Sequence, residues 1–201
     1  MFYEASALPK GLFKACIIPR PIAWVSSVSS EGIFNLAPFS YFNAVADQPP
    51  MVMFSTTNAH AEGGAKDSLK NIEETGEFVI NIATYEMREM INLSSADLPR
   101  TKDEFEFCGI EHEPSDLVKV PRVKKSPIHI ECLYHTSVQL PTDSPENINR
   151  MVIGKVIGIH IQPEVMTHGR VDLAKLQPIA RLGYNDYAKI VNDIFVLIRP
   201  K

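Results

Sequence analysis

Nothing in this sequence of 201 residues is long and apolar enough to cross a membrane as a helix, since runs such as FVINIA (78–83) and IFVLI (194–198) are only strand-sized. The opening MFYEASALPKGLFK has neither the basic start nor the apolar centre of a signal peptide, so a cytoplasmic protein with no membrane partner is expected. Cysteine is scarce. Cys16, Cys108 and Cys132 are odd in number and far apart, which argues against a disulfide framework and fits a reducing compartment. Positive charge is not in excess either: 20 Lys and Arg face 24 Asp and Glu, and the net charge is −4. A broad cationic surface for nucleic acid or anionic lipid is thereby excluded as the main feature, and a small-molecule site fits better. The six histidines, His60, His112, His129, His135, His160 and His168, form no H-E-x-x-H and have no paired C-x-x-C beside them, so no metal site is expected. His160, on an alternating stretch, reads as a packed or surface residue. G-x-S-x-G and G-x-G-x-x-G are missing too, which removes a serine nucleophile elbow and a tightly held dinucleotide in a Rossmann unit.

What the chain does have is 45% apolar residues, 22% charged residues and no linker-like stretch, enough for one sizeable core in a single domain over residues 1–201. In PIAWVSSV, Ile22, Trp24, Ser26 and Val28 fall on one strand face and Ala23, Val25, Ser27 and Ser29 on the other. SSEG then turns the chain, and a return strand from Ile33 makes a hairpin. Further strands are expected at Met51–Ser55, after the Pro49-Pro50 pair, and at Phe78–Ala83, Ile128–Leu140, Met151–Ile161 and Ile194–Ile198. KDSLKNIEETG carries helix punctuation, with Asp67 or Ser68 as N-cap, Leu69 and Ile72 as a buried stripe and Gly76 as the stop. Thr84–Leu93 is a second helix candidate, with Met87, Met90 and Ile91 on its apolar side. Strands outnumber helices without regular βαβ spacing, so a mainly β, antiparallel barrel with peripheral α-helices is expected.

Three polar clusters carry possible chemistry. A helix start presents unpaired N–H groups and a positive dipole end, and here Lys66 precedes one with the Ser68 hydroxyl in its first turn, an anion site in outline. The same residues also read as a plain cap with Lys66 in solvent. In PRPIAWVSS, an Arg and a Trp beside small hydroxyl residues can hold a planar ligand, although a strand Trp equally reads as core. In NLAPFSYFN, Asn35, Ser40 and Asn43 offer polar contacts and Pro38 removes one backbone donor, or the stretch is an irregular connection.

Taken in order, RPIAWVSS (20–27), G-x-x-N-x-A-P-F-S-x-F-N (32–43), PPMVMFS (49–55), KDSLKNI (66–72), GEFVIN (76–81), VIGKV (152–156) and LQPIARLG (176–183) resemble the flavin reductase-like, FMN-binding split-barrel family that includes flavoredoxin. The resemblance spans most of residues 17–187. It implies a Greek-key-like split β-barrel that binds FMN and assembles as a homodimer, with the flavin near the subunit boundary. It also implies site residues. Pro38, Phe39 and Ser40 would lie along the flavin, with Asn35 beside them. Trp24, Ser26 and Ser27 would flank the ring system and ribityl chain. Ser55 would sit near the phosphate, and Lys66, Asp67, Ser68 and Asn71 would form the phosphate-binding helix start. Arg181 and Gly183 are candidates for a further wall. The family often has Thr at the place of Ser68, and RLGG where this chain reads RLGYNDY. The function implied is that of a flavin-dependent oxidoreductase passing electrons from NAD(P)H or another donor through FMN, with any NAD(P)H docking transiently over the flavin and no catalytic acid or base required. An electron carrier without a nicotinamide reaction, or a non-redox flavin-binding module, remains open.

Overall fold

The computed structural model describes residues 1–191 and 194–200. In chain order its strands are β1 (Arg20–Pro21), β2 (Ala23–Val28), β3 (Phe34–Phe39), β4 (Phe42–Asp47), β5 (Pro50–Thr56), β6 (Glu77–Ile82), β7 (His112–Glu113), β8 (Arg122–Val123), β9 (Ile128–Leu140), β10 (Asn149–Ile161), β11 (Met166–Thr167), β12 (Arg170–Val171), β13 (Ile179–Arg181) and β14 (Tyr187–Lys189). The helices are α1 (Leu12–Cys16), α2 (Asp67–Thr75), α3 (Arg88–Leu93), α4 (Glu104–Cys108) and α5 (Leu173–Leu176). Seven strands make the main sheet in the order β3-β2-β6-β9-β10-β5-β4, every neighbouring pair antiparallel. This is the expected mainly β, split-barrel architecture with helices at its periphery.

Strand β2 shows how the sequence pattern builds the core. It lies between β3 and β6, and its two faces enter two different clusters. Ile22 and Trp24 pack with Leu36, Met87, Ile91 and Phe105, whereas Ala23 and Val25 pack with Val52, Phe54, Phe78 and Ile80. Burial on both faces explains why the strand carries few charged residues and why its serines must find partners inside. Helix α2 lies against β2, burying Leu69 and Ile72, and ends at Gly76, whose φ of 77° is the left-handed conformation that glycine adopts without strain.

Two expected elements differ. The helix begins at Arg88 rather than Thr84, because the preceding residues are bound elsewhere: Thr84 bridges Pro178 and the Tyr85 N–H donates to the Gln177 carbonyl at 2.9 Å. Ile194–Ile198 is not a strand. The run has strand-like composition but meets no partner strand among the described residues, and its side chains are 61 to 87% exposed. Strand propensity alone does not supply a ladder.

Candidate functional site

A cleft of about 260 Å³ opens between the end of β3, the end of β5, the start of α2 and the loop 94–98. The start of α2 dominates one end. Lys66 occupies the N-cap position, extended at φ −59° and ψ 148°, and among the described residues no side chain accepts a hydrogen bond from the first turn. The expected cap by Asp67 or Ser68 does not form, since both side chains are engaged elsewhere. The Asp67 carboxylate turns to the Arg100 guanidinium and lies 3.3 Å from His60 Nε2. Arg100 also donates to the carbonyls of Gly63 (2.7 Å) and Ala65 (2.8 Å), so one side chain fixes the approach to the helix and neutralises its acidic first residue. His60 Nδ1 accepts from the Glu62 N–H at 3.0 Å, which leaves the ring proton on Nε2, facing Asp67 and the Leu98 carbonyl.

Ser68 is prepared as a donor. Its hydroxyl oxygen accepts from Asn35 Nδ2 at 2.8 Å, so its own proton is directed elsewhere, and the residue lines the cleft. Asn35 is itself steadied by Ser27 Oγ at 3.3 Å, which also accepts from Asn71 Nδ2 at 3.3 Å. Lys66 Nζ reaches Asp97 Oδ1 at 2.9 Å across the cleft mouth, and this lysine holds the Asp97 carboxyl below the usual carboxylate range. The uncapped helix start, Lys66 and the Ser68 hydroxyl thus gather donors at one end of a cleft whose lining also holds the carboxyl groups of Asp67, Asp97 and Glu104.

On the wall of β3, Pro38 stands where a proline costs nothing. The Leu36 N–H points away from β2 and donates to Glu104 Oε2 at 3.3 Å, and the period of two puts Pro38 on the same outward side of an edge strand. Glu104 is a buried carboxyl that lines the cleft, and burial, with smaller help from the charges of Asp67 and Asp103, raises its pKa from 4.5 to about 7.

Of the residues expected from sequence, Asn35, Pro38, Phe39, Ser40, Ser55, Lys66, Asp67 and Ser68 meet around this cleft. Trp24, Ser26, Ser27 and Asn71 do not line it. Trp24 is wholly buried and donates from Nε1 to Ser94 Oγ at 2.8 Å, thereby holding the loop at the cleft edge from behind. Ser26 donates to the Pro121 carbonyl at 2.6 Å, and Ser27 and Asn71 support Asn35 from the interior. Arg181 and Gly183 also lie outside the lining. Arg181 bonds the Tyr184 carbonyl and the Tyr187 hydroxyl, while a Cβ on Gly183 would sit 2.5 Å from that of Ala15, so glycine is what lets this turn press on α1. Sequence reading missed Arg100, His60, Glu104 and Lys14; nothing local in LPRTKDEF signals that Arg100 pairs with Asp67.

A second cluster lies apart from the cleft. Asp116, Glu131 and His160 bring one potential metal-ligand atom each within 4.8 Å of one another. Both oxygens of the buried Glu131 are already occupied: they accept from the N–H groups of Asp116, Leu117 and Val118 and from His160. Burial works to raise this carboxyl, yet those donors hold it below the usual range. The arrangement fastens the 116–118 loop to β9.

The chain matches the flavin reductase like domain over residues 15–175. Among solved structures, nitrilotriacetate monooxygenase component B from Bacillus cereus superposes with a TM-score of 0.88 at 32% identity, covering 98% of each chain. The 2-nitrobenzoate 2-nitroreductase of Pseudomonas fluorescens superposes with a TM-score of 0.85 at 28% identity, covering 99% of this chain and 96% of its own. A Shewanella frigidimarina protein with a split barrel domain, assigned as a flavin reductase, shares the fold at a TM-score of 0.83 and 19% identity over 100% of both chains. The match across most of the sequence, with the split-barrel architecture, makes this chain a member of the flavin reductase-like domain family.

Proposed function

We propose that the protein binds FMN in this cleft and acts as a flavin-dependent oxidoreductase that passes electrons from NAD(P)H to an acceptor. The observation that carries the reading is the uncapped start of α2, where helix N–H groups and the Ser68 hydroxyl face the cleft, the Asp67 carboxylate is held by Arg100 and His60, and the Lys66 ammonium stands at the same end in a partly exposed pair with Asp97 that an incoming phosphate would share or displace. A phosphate ester fits that donor set, whereas a neutral ring would leave it unmatched. Pro38, Phe39 and Ser40 then form the wall on which the rest of the flavin lies, and Ser55 closes the opposite side. The family membership and the nitroreductase and monooxygenase-component neighbours support redox work. When bound, the flavin supplies the electron chemistry. The chain's own residues bind its phosphate, orient its ring and shield it, with no side chain required as a catalytic base.

We place the protein in the cytoplasm, in keeping with its three unpaired thiols, and as a homodimer. Ile159 is 56% exposed on β10, and the apolar run Ile194–Ile198 lies bare in one chain, which is surface a second copy would cover. The deciding experiment is anaerobic mixing of FMN-loaded protein with NADH and NADPH while the visible flavin band is followed. Bleaching with either establishes the reductase. Failure to bleach, with FMN still bound, leaves the electron carrier, and no FMN binding overturns the reading.

A further inference from the structure

Glu104 is the cleft group that phosphate binding alone does not explain. It is the first residue of α4, whose start is capped by the preceding Asp103, so its side chain is not needed as a cap. Instead it turns inward, buried to 7% exposure, and lines the cleft while accepting from the Leu36 N–H. Glu104 shares the cleft lining with Asp67 and Ser68 from the start of α2, and it stands near enough to Asp67 for that charge to act on it. A buried carboxyl normally has a cation beside it. Here, among the described residues, no cation pairs with it: the nearby charges are Asp67 from α2 and Asp103 from α4, both negative. The remaining groups around it are accounted for. Lys66 is engaged by Asp97, His60 and Arg100 by Asp67, Lys14 lines the cleft from α1, β3 offers only its N–H, and Cys108 on α4 is a thiol pushed up by burial and by Glu104 itself.

We propose that Glu104 is a flavin-binding residue that donates a hydrogen bond from its protonated carboxyl to the phosphate end of FMN, and that its carboxylate form opposes the same ligand. This rests on the FMN reading above and adds a regulation to it. A neutral acid beside a phosphate is a donor, and an ionised one is a like charge in a confined space. The setting favours the neutral acid up to about pH 7, so the switch operates across the physiological range. An anion arriving beside it favours the proton further, and FMN binding at slightly alkaline pH therefore takes up protons.

The test compares Kd values for FMN and riboflavin, by flavin fluorescence, for the wild type and Glu104→Gln at pH 6, 7 and 8. The amide stays neutral and still donates. The expected result is that wild-type affinity for FMN falls relative to that of the variant by about fivefold between pH 6 and pH 8, the change that one pKa unit of coupling produces over this range for a group titrating near 7. Riboflavin should show the same profile in both proteins. Titration of the free FMN phosphate is common to both proteins and cancels in their ratio. A ratio of FMN Kd values that stays constant across pH overturns the proposal. FMN binding that is no tighter than riboflavin binding in the wild type overturns the phosphate site instead, which is a different result. Should the variant fold poorly, calorimetry of wild-type FMN binding at pH 7.5 in two buffers of different ionisation enthalpy decides: proton uptake supports the donor role, and release or no exchange refutes it.

Discussion

Two helix starts in this molecule use the same kind of side chain in opposite ways. At α4, Asp103 sits at the N-cap and its Oδ1 accepts from the N–H groups of Phe105 at 2.7 Å and Glu106 at 3.2 Å, so the helix closes its own end. At α2, Asp67 stands one place further along, and Arg100 and His60 draw its carboxylate away. The positive end of α2 therefore stays open toward the cleft, and that of α4 does not. Whether a helix terminus is closed or available for a ligand is decided by what neighbours the acid, as much as by the acid's presence.

The strongest way to break this contrast is to free Asp67. Arg100→Ala removes charge-assisted bonds worth about 1.5–3 kcal/mol each, leaves the Asp67 carboxylate with His60 alone beside the helix start, and should weaken FMN binding about 10- to 100-fold in a fluorescence titration. It should also lower the melting temperature, since the 63–67 approach loses its clamp.

Glu104, at the first position of α4, sharpens the contrast through pH. Its pKa is about 7 in the folded protein against 4.5 for the free group, so the folded state keeps a proton that the unfolded chain loses as pH rises through 4.5. Stability therefore falls between about pH 4.5 and 7, and the full cost applies above 7. Glu104→Gln should make the flavin-free protein more stable than wild type at pH 8 by up to about 3 kcal/mol in urea unfolding, with the difference vanishing toward pH 4.5. Equal unfolding curves at pH 8 would contradict the burial of an unpaired acid.

Ser68→Ala and Lys66→Ala probe the open end directly. Each should weaken FMN about tenfold, leave riboflavin within about twofold, and leave the far-ultraviolet circular dichroism unchanged, because neither caps the helix. A drop in melting temperature with intact affinity would mean that Ser68 serves the fold instead. Asp103→Ala is the converse and the smallest effect, a loss of about 1 kcal/mol of stability with FMN affinity within about threefold of wild type.

Much of the fold was readable because it depends on neighbours in sequence. Period-two alternation located β2, β9 and β10 closely, and Gly76 marked the end of α2, since side-chain direction and backbone freedom are local properties. The failures were of another kind. Ile194–Ile198 has strand composition but no partner, and Thr84–Met87 has helical patterning but is held by Pro178 and Gln177. At the cleft, the resemblance brought Trp24, Ser26 and Ser27 to the flavin, whereas the structure sets them behind its walls; the residue types suit both roles, and only packing tells them apart.

By itself, the sequence determined a mainly β chain, the places of most of its longer strands, the apolar stripe of α2 and the presence of Lys66 and Ser68 at a helix start. Only the tertiary structure decided that this start is left open. That outcome requires Arg100, 33 residues from Asp67, to take the carboxylate, and Asn35 from β3 to take the Ser68 oxygen. Each of these is a contact between segments remote in sequence. No periodicity encodes such contacts, because a hydrogen bond or ion pair depends on where folding brings two groups and not on the residues beside either one.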